Sequence, residues 1–147
     1  MAKNDKQIRD VMTPDPVCVS EGDTIREAAR IMAREDTGVV PVVDGNKIVG
    51  MITDRDIVVR LVAEGRDPAS AHVNEAMSKN IRTVKENDTV GDVLNVMSSS
   101  QVRRVPVVNE RNEIVGIVSM KDLADTGNQE GKIGRAVENI SLAPPNN

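Results

Sequence analysis

The sequence predicts a mixed α/β fold of the α+β kind, with one strand-helix-strand-strand-helix unit occurring twice in 147 residues. Three observations predict it. The chain repeats itself at a fixed offset. Runs of β-branched residues alternate with capped apolar helical stretches. The core has to be built without a single Phe, Tyr or Trp.

The duplication is explicit. Val17-Cys18-Val19 through Met32 overlays Arg82-Thr83-Val84 through Met97 at a constant offset of 65 positions, which also brings Met12 onto Met77. Val40-Pro41-Val42-Val43 meets Val105-Pro106-Val107-Val108 at the same offset. One extra residue between Asn109 and Glu113 moves the offset to 66, so that Ile48-Val49-Gly50 meets Ile114-Val115-Gly116 and Asp56 meets Asp122. The expected organisation is a first repeat over 8–64, a connector over 65–72, a second repeat over 73–125 and a tail over 126–147. A unit of this size closes its own core poorly, so the two should pack as one pseudo-twofold-symmetric domain.

Val17-Cys18-Val19 is a short strand candidate. Thr24-x-x-Glu27 has the form of a capping box, and Ile25, Ala28, Ala29 and Met32 follow at helical spacing. The second copy repeats this with Thr89 and Asp92 ahead of Val93, Leu94 and Met97. Val39 to Val43 and Lys47 to Ile52 read as strands joined through Asp44-Gly45-Asn46, a hairpin signal. Pro41 and Pro106 cannot donate to a ladder, so their strands should lie at an edge or leave that position unpaired. A second helix should run from Asp54 to about Ala63, with Gly65 as its stop. In the tail, Ile133, Ala136, Val137 and Ile140 predict one short helix.

Composition limits the function. One cysteine, Cys18, forbids an internal disulfide, the charged leading segment lacks a signal-peptide pattern, and no window has transmembrane length. A cytoplasmic protein without a membrane role is expected. A net charge of −4 argues against nucleic acid, and the absence of aromatics removes stacking platforms for single strands. No nucleophile-base pair, metal-ligand cluster or glycine-rich phosphate loop is present, so the chain should not be an enzyme, should hold no metal and should require no cofactor.

Gly50-Met51-Ile52-Thr53-Asp54-Arg55-Asp56 and Gly116-Ile117-Val118-Ser119-Met120-Lys121-Asp122 each end a strand and open a helix. Thr53 or Ser119 falls at the helix N-cap, beside free N–H groups that suit phosphate. Asp56 or Asp122 lies one turn on, where a carboxylate can accept from a ribose diol, and Arg55 or Lys121 adds a cation. The same residues are also the ordinary way to cap a helix with no ligand involved. Both readings stand at this point.

The unit resembles a CBS domain and the pair resembles a tandem CBS (Bateman) module. The resemblance rests on the Asp23-Thr24 helix start, Val40-Pro41-Val42-Val43 and the Gly50 to Asp56 segment, each with its second copy, and it spans residues 8 to 125. It implies β-α-β-β-α repeats with two clefts between them, a homodimer, and often an adenine ligand such as AMP, ADP, ATP or S-adenosylmethionine. By the resemblance, Thr53 and Asp56 would hold phosphate and ribose in one cleft, with Val17, Cys18, Val39 and Pro41 around the base. Ser119 and Asp122 would do so in the other, with Ile81, Arg82, Arg104 and Pro106. Met120 stands where the first copy has Asp54, and Arg104 where it has Val39, so the clefts should be unequal. Arg103-Arg104 reads either as a phosphate contact or as a surface ion pair. His72 reads as a solvated linker residue and Cys18 as a small strand residue. A non-catalytic nucleotide sensor relaying ligand state to a partner protein is the expectation, with a ligand-free interaction scaffold or an S-adenosylmethionine binder as alternatives.

Overall fold

The computed structural model describes residues 6–124; the tail helix expected around Ile133 to Ile140 lies outside them. The elements in chain order are β1 (Thr13–Pro14), β2 (Val19–Ser20), α1 (Ile25–Glu35), β3 (Val39–Asp44), β4 (Lys47–Thr53), α2 (Asp54–Ile57), β5 (Val84–Lys85), α3 (Val90–Ser100), β6 (Arg104–Val108), β7 (Ile114–Ser119) and α4 (Met120–Ala124). Each repeat therefore carries the predicted strand-helix-strand-strand-helix order. The described residues form two compact units, one of Pro16–Ile81 and one of 6–15 with 82–124.

In the first unit the sheet order is β2-β3-β4, with β2 parallel and β4 antiparallel to β3. Helix α1 starts where the Thr24 hydroxyl accepts from Glu27 N–H at 3.2 Å. It stops at Asp36, whose left-handed conformation (φ 51°) turns its N–H back to Met32 O. Between those caps Ile25, Ala28, Ile31 and Met32 face Val19, Val40, Val42 and Ile52 in one aliphatic core. The hairpin closes at Asp44 opposite Lys47, with Gly45 at φ 65°.

Two expectations need correction, and a third is narrowed to one of its alternatives. The first strand begins at Val19 rather than Val17, because parallel pairing with β3 starts only at Val42. For the proline strands the second alternative holds, an unpaired position and not an edge: β3 lies between β2 and β4, and β6 between β5 and β7, with β2 and β5 pairing only from Val42 and Val107. Met51, opposite Pro41, spends its N–H and C=O on Ser78 on the far side, so Pro41 nitrogen faces the β2 side. Because β2 pairs only from Val42 onward, no ladder bond is lost there. The second helix, expected as one α-helix to Ala63, is α-helical only through Ile57; Val58–Val62 is a π-helical turn closed by Ala63 N–H on Val58 O at 2.9 Å. Gly65 follows at φ 71°.

The connector belongs to this unit. Ile25 N–H donates to Ala71 O, Val73 N–H to Asp23 O, and Met51 and Ser78 exchange both backbone bonds at 3.0 and 2.8 Å. Ala71, Val73, Ala76 and Met77 complete its core.

The other unit mirrors this with the leading segment. Its sheet order is β1-β7-β6-β5, with Thr13 opposite Ile117 and Pro14 opposite Gly116. Val90 N–H donates to Lys6 O and Ile8 N–H to Asp88 O, and Ile8 is fully buried among Val84, Val90, Val107 and Leu123. The opening residues of the first repeat thus complete the unit of the second, and the connector with the opening residues of the second repeat completes the unit of the first.

Candidate functional site

The two strand-to-helix motifs fold alike. Thr53 N–H donates to Asp56 Oδ2 at 2.9 Å while Asp56 N–H donates to the Thr53 hydroxyl at 3.0 Å. Ser119 and Asp122 exchange the same pair at 2.9 and 3.2 Å. Each motif is a reciprocal capping box that satisfies two otherwise free donors at the helix start. The hydroxyl and carboxylate read as ligand groups are thus also structural caps, and each carboxylate has one oxygen engaged.

Asp56 differs from Asp122 in its surroundings. It is 5 % exposed, whereas Asp122 is half-buried. Its second oxygen, Oδ1, accepts no hydrogen bond from the described residues; the nearest cation is Arg60 Nε at 3.8 Å. Arg60 Nη1 instead donates to Ala76 O and Met77 O at 3.2 and 3.4 Å. Among the described residues no buried side-chain oxygen is left without a partner, so Oδ1 reaches the surface, where it can accept from a donor. Sequence reasoning did not single out Arg60; its place four residues after Asp56 on one helical face was the signal available.

In the first unit the ladder sets Val39 opposite Thr53 and Pro41 opposite Met51. Val39 and Pro41 are buried, and Val39 borders the capping box. Gly38 O accepts from Asp54 N–H at 3.0 Å, closing the strand end against the helix start. Val17 is exposed and Cys18 half-buried, both just ahead of β2. The Cys18 thiol donates to Pro16 O at 3.3 Å, and burial pushes its pKa above the usual thiol value, which disfavours the nucleophilic thiolate. Arg55 is exposed on the first turn of α2. Ile81 closes this unit, outside any strand.

In the other unit Arg104 stands opposite Ser119 and Pro106 opposite Ile117. Arg82, Arg103, Arg104 and Lys121 are all exposed. Asp122 is engaged by the Ser119 amide and forms no ion pair with Arg104, and no ion pair of Arg103 or Arg104 occurs among the described residues. Of the two readings of that arginine pair, the surface ion pair does not occur among the described residues. His72 is exposed; its backbone N–H donates to Glu75 Oε2 at 2.6 Å, and Nδ1 lies 3.5 Å from the same oxygen. Among the described residues no three His, Cys, Asp or Glu side chains come together as metal ligands, and no helix is long and apolar enough to cross a membrane.

Known proteins match this architecture. The CBS domain family model matches twice, over 8–63 and 73–127. The CBS domain-containing protein YhcV of Bacillus subtilis is 39% identical over 134 residues, covering 91% of this chain and 94% of that protein. Hypoxic response protein 1 of Mycobacterium tuberculosis is 42% identical over 117 residues, covering 79% of this chain and 81% of that one. The crystal structure of hypoxic response protein I with two coordinated zinc ions superposes with a TM-score of 0.75, covering 82% of this chain and 98% of that chain at 40% identity. The CBS domain pair of protein MJ0100, in complex with 5′-methylthioadenosine and S-adenosyl-L-methionine, gives 0.73 at 30% identity, over 82% of this chain and 98% of that one. The duplicated motif, the two mirrored sheets and these matches agree: the chain belongs to the CBS domain family, as a protein with two CBS repeats.

Proposed function

We propose that the chain is a regulatory module, without a catalytic reaction of its own, that binds an adenine nucleotide and passes ligand state to a partner protein. The observation that carries this reading is Asp56. It is a carboxylate 5 % exposed, held by Thr53 N–H through Oδ2, with Oδ1 open to a donor such as a ribose hydroxyl. Thr53 and Arg55, at the start of the same helix, are the phosphate-side groups, and Val39 and Pro41 supply aliphatic surface for the base in a chain that has no aromatic residue. The adenosine-type ligands held by the CBS domain pair of MJ0100 support the ligand class.

The first motif is proposed as the better site. Its carboxylate is the more buried, and its guanidinium can hold a phosphate in a bidentate fork, which Lys121 cannot. Calorimetry with AMP, ADP, ATP, S-adenosylmethionine and GMP tests the reading. Adenine ligands should give saturable heat and GMP less. Asp56→Asn, which keeps an acceptor for Thr53 N–H, should weaken binding about tenfold, the scale of a lost charged hydrogen bond. The same change at Asp122 should do less. No heat from any adenine ligand up to millimolar concentration would leave the ligand-free interaction scaffold as the better reading.

A homodimer is part of the same proposal. Val58 and Val62 are each 57% exposed and Val59 is 39% exposed, a contiguous apolar stripe on the π-helical turn. Burying it against a second copy would remove a feature that small monomers seldom present.

A further inference from the structure

A second candidate binding site lies in the unit built from 6–15 and 82–124, at the other end of its sheet from Ser119. Strand β6 runs from Arg104, opposite Ser119, to Val108, opposite Ile114. At about 3.3 Å per residue those ends are roughly 13 Å apart. At the Val108 end a cavity of about 270 Å³ opens between three chain segments: the turn bearing Arg9, the end of β5 with Lys85 and the following Glu86, and the β6–β7 turn bearing Glu110 and Arg111. Backbone bonds stitch these walls together. Arg9 N–H donates to Glu86 O at 3.0 Å and Glu86 N–H to Val108 O at 3.3 Å, while Lys85 N–H is fixed by Asp88 Oδ2 at 2.9 Å.

The duplication supplies an internal control. The residues that correspond to Arg9, Lys85 and Asn109 in the Pro16–Ile81 unit are Asn74, Ser20 and Asp44. Arg111 lies in the turn that is one residue longer in this copy. Three cations far apart in sequence therefore line one cavity in one unit only, where the carboxylate of Asp44 in the other unit is also absent. Capping, strand pairing and core packing proceed in the Pro16–Ile81 unit without them, so the fold does not require them.

The charges present are only partly used. Lys85 Nζ donates to Asn109 O at 3.2 Å. The Arg9 guanidinium stands 3.9 Å from Glu86 Oε1, beyond hydrogen-bond distance, and the Arg111 guanidinium has no acceptor among the described residues. Two guanidinium forks and an ammonium suit the oxygens of a phosphate dianion. Glu86 and Glu110, also on the wall, suit hydroxyl donors. The volume exceeds that of a bare phosphate and falls below that of most drug-sized ligand sites. We propose that this cavity binds a small phosphorylated polyol, with the phosphate on Arg9, Lys85 and Arg111 and the hydroxyls on Glu86 and Glu110.

Amide NMR on the full chain tests this independently of the nucleotide reading. Glycerol 3-phosphate should give saturable shifts at Lys85 to Asn87 and Asn109 to Arg111, inorganic phosphate weaker ones, and glycerol none. Arg111→Gln, at a guanidinium that makes no hydrogen bond or ion pair among the described residues, should weaken binding about tenfold, and Arg111→Lys less. Lys85→Gln should do the same if its amide spectrum remains native. Asp56→Asn should leave these shifts unchanged. The proposal is overturned if the shifts do not saturate, if they persist at full strength in Arg111→Gln, if glycerol matches glycerol 3-phosphate, or if they appear at Thr53 to Asp56 instead.

Discussion

Gly50 and Gly116 sit in the middle of β4 and β7, where a glycine ordinarily weakens a strand. Their reason is steric. A Cβ on Gly50 would meet Ser78 O at 2.7 Å and Met77 Sδ at 3.1 Å, and one on Gly116 would meet Thr13 O at 3.0 Å and the Met12 side chain. The correspondence of Met12 with Met77 in the repeat is therefore a packing correspondence: each methionine lies over the other repeat's glycine. Gly50→Ala should cost about 1–3 kcal/mol by overpacking against a backbone oxygen that cannot swing away, measured by urea unfolding. Gly116→Ala should cost less if the flexible Met12 side chain yields. At the capping box, Asp56→Ala should lose about 1 kcal/mol of stability beyond Asp56→Asn, because only asparagine keeps an acceptor for Thr53 N–H. Equal melting temperatures for the two variants would remove the cap from the account of Asp56.

Among elements, the connector is the one whose character changed most between sequence and structure. Read as a polar link, it is instead anchored on the first sheet and held by a small polar cluster. Glu75 accepts from His72 N–H through one oxygen and pairs with Arg66 Nη2 through the other. The backbone bond from His72, then the hydrogen bond from Arg66, hold the Glu75 carboxyl below its ordinary pKa. A depressed carboxylate contributes stability above its unfolded pKa, near 4.3, and loses it as pH falls through the folded value. Thermal melts should therefore show Glu75→Gln below the wild type at pH 7, with the gap closing as the pH falls below about 4. A gap that stays constant across that range would mean the charge contributes nothing. Arg60 ties the segment that follows the connector, through Ala76 O and Met77 O, to the helix that carries Asp56.

At the scale of the whole molecule, the crossed segments make each unit depend on residues distant in sequence. Ile8 is fully buried in the core that α3, β6 and β7 build. Ile8→Ala should cost about 2–5 kcal/mol, and hydrogen exchange should rise in 84–123 well before it rises in 19–61. A uniform rise across both ranges would show that the leading segment supports the two units alike. The exposed stripe of Val58, Val59 and Val62 underlies the proposed dimer. Sedimentation should find a dimer at tens of micromolar that Val58→Asp with Val62→Asp converts to monomer; a wild-type monomer under those conditions ends the dimer proposal.

Much of this was legible from local chemistry. The Thr24, Thr53, Thr89 and Ser119 caps and the Asp44 to Lys47 hairpin are set by residues within a few positions of one another, and duplication displayed the caps twice. The pairing of Thr53 with Asp56 was readable for the same reason, though its two meanings, cap and ligand acceptor, were not separable by spacing alone. Only the tertiary structure decided what depends on distant partners. It placed the leading segment on the second repeat and the connector on the first, and put the proline strands inside their sheets. It also left one oxygen of Asp56 open and gathered Arg9, Lys85 and Arg111 around one cavity. Periodicity reports which face of an element is apolar; it carries no information about which remote backbone will approach that face, and close approach is what the glycines, the straps and the cavity are made of.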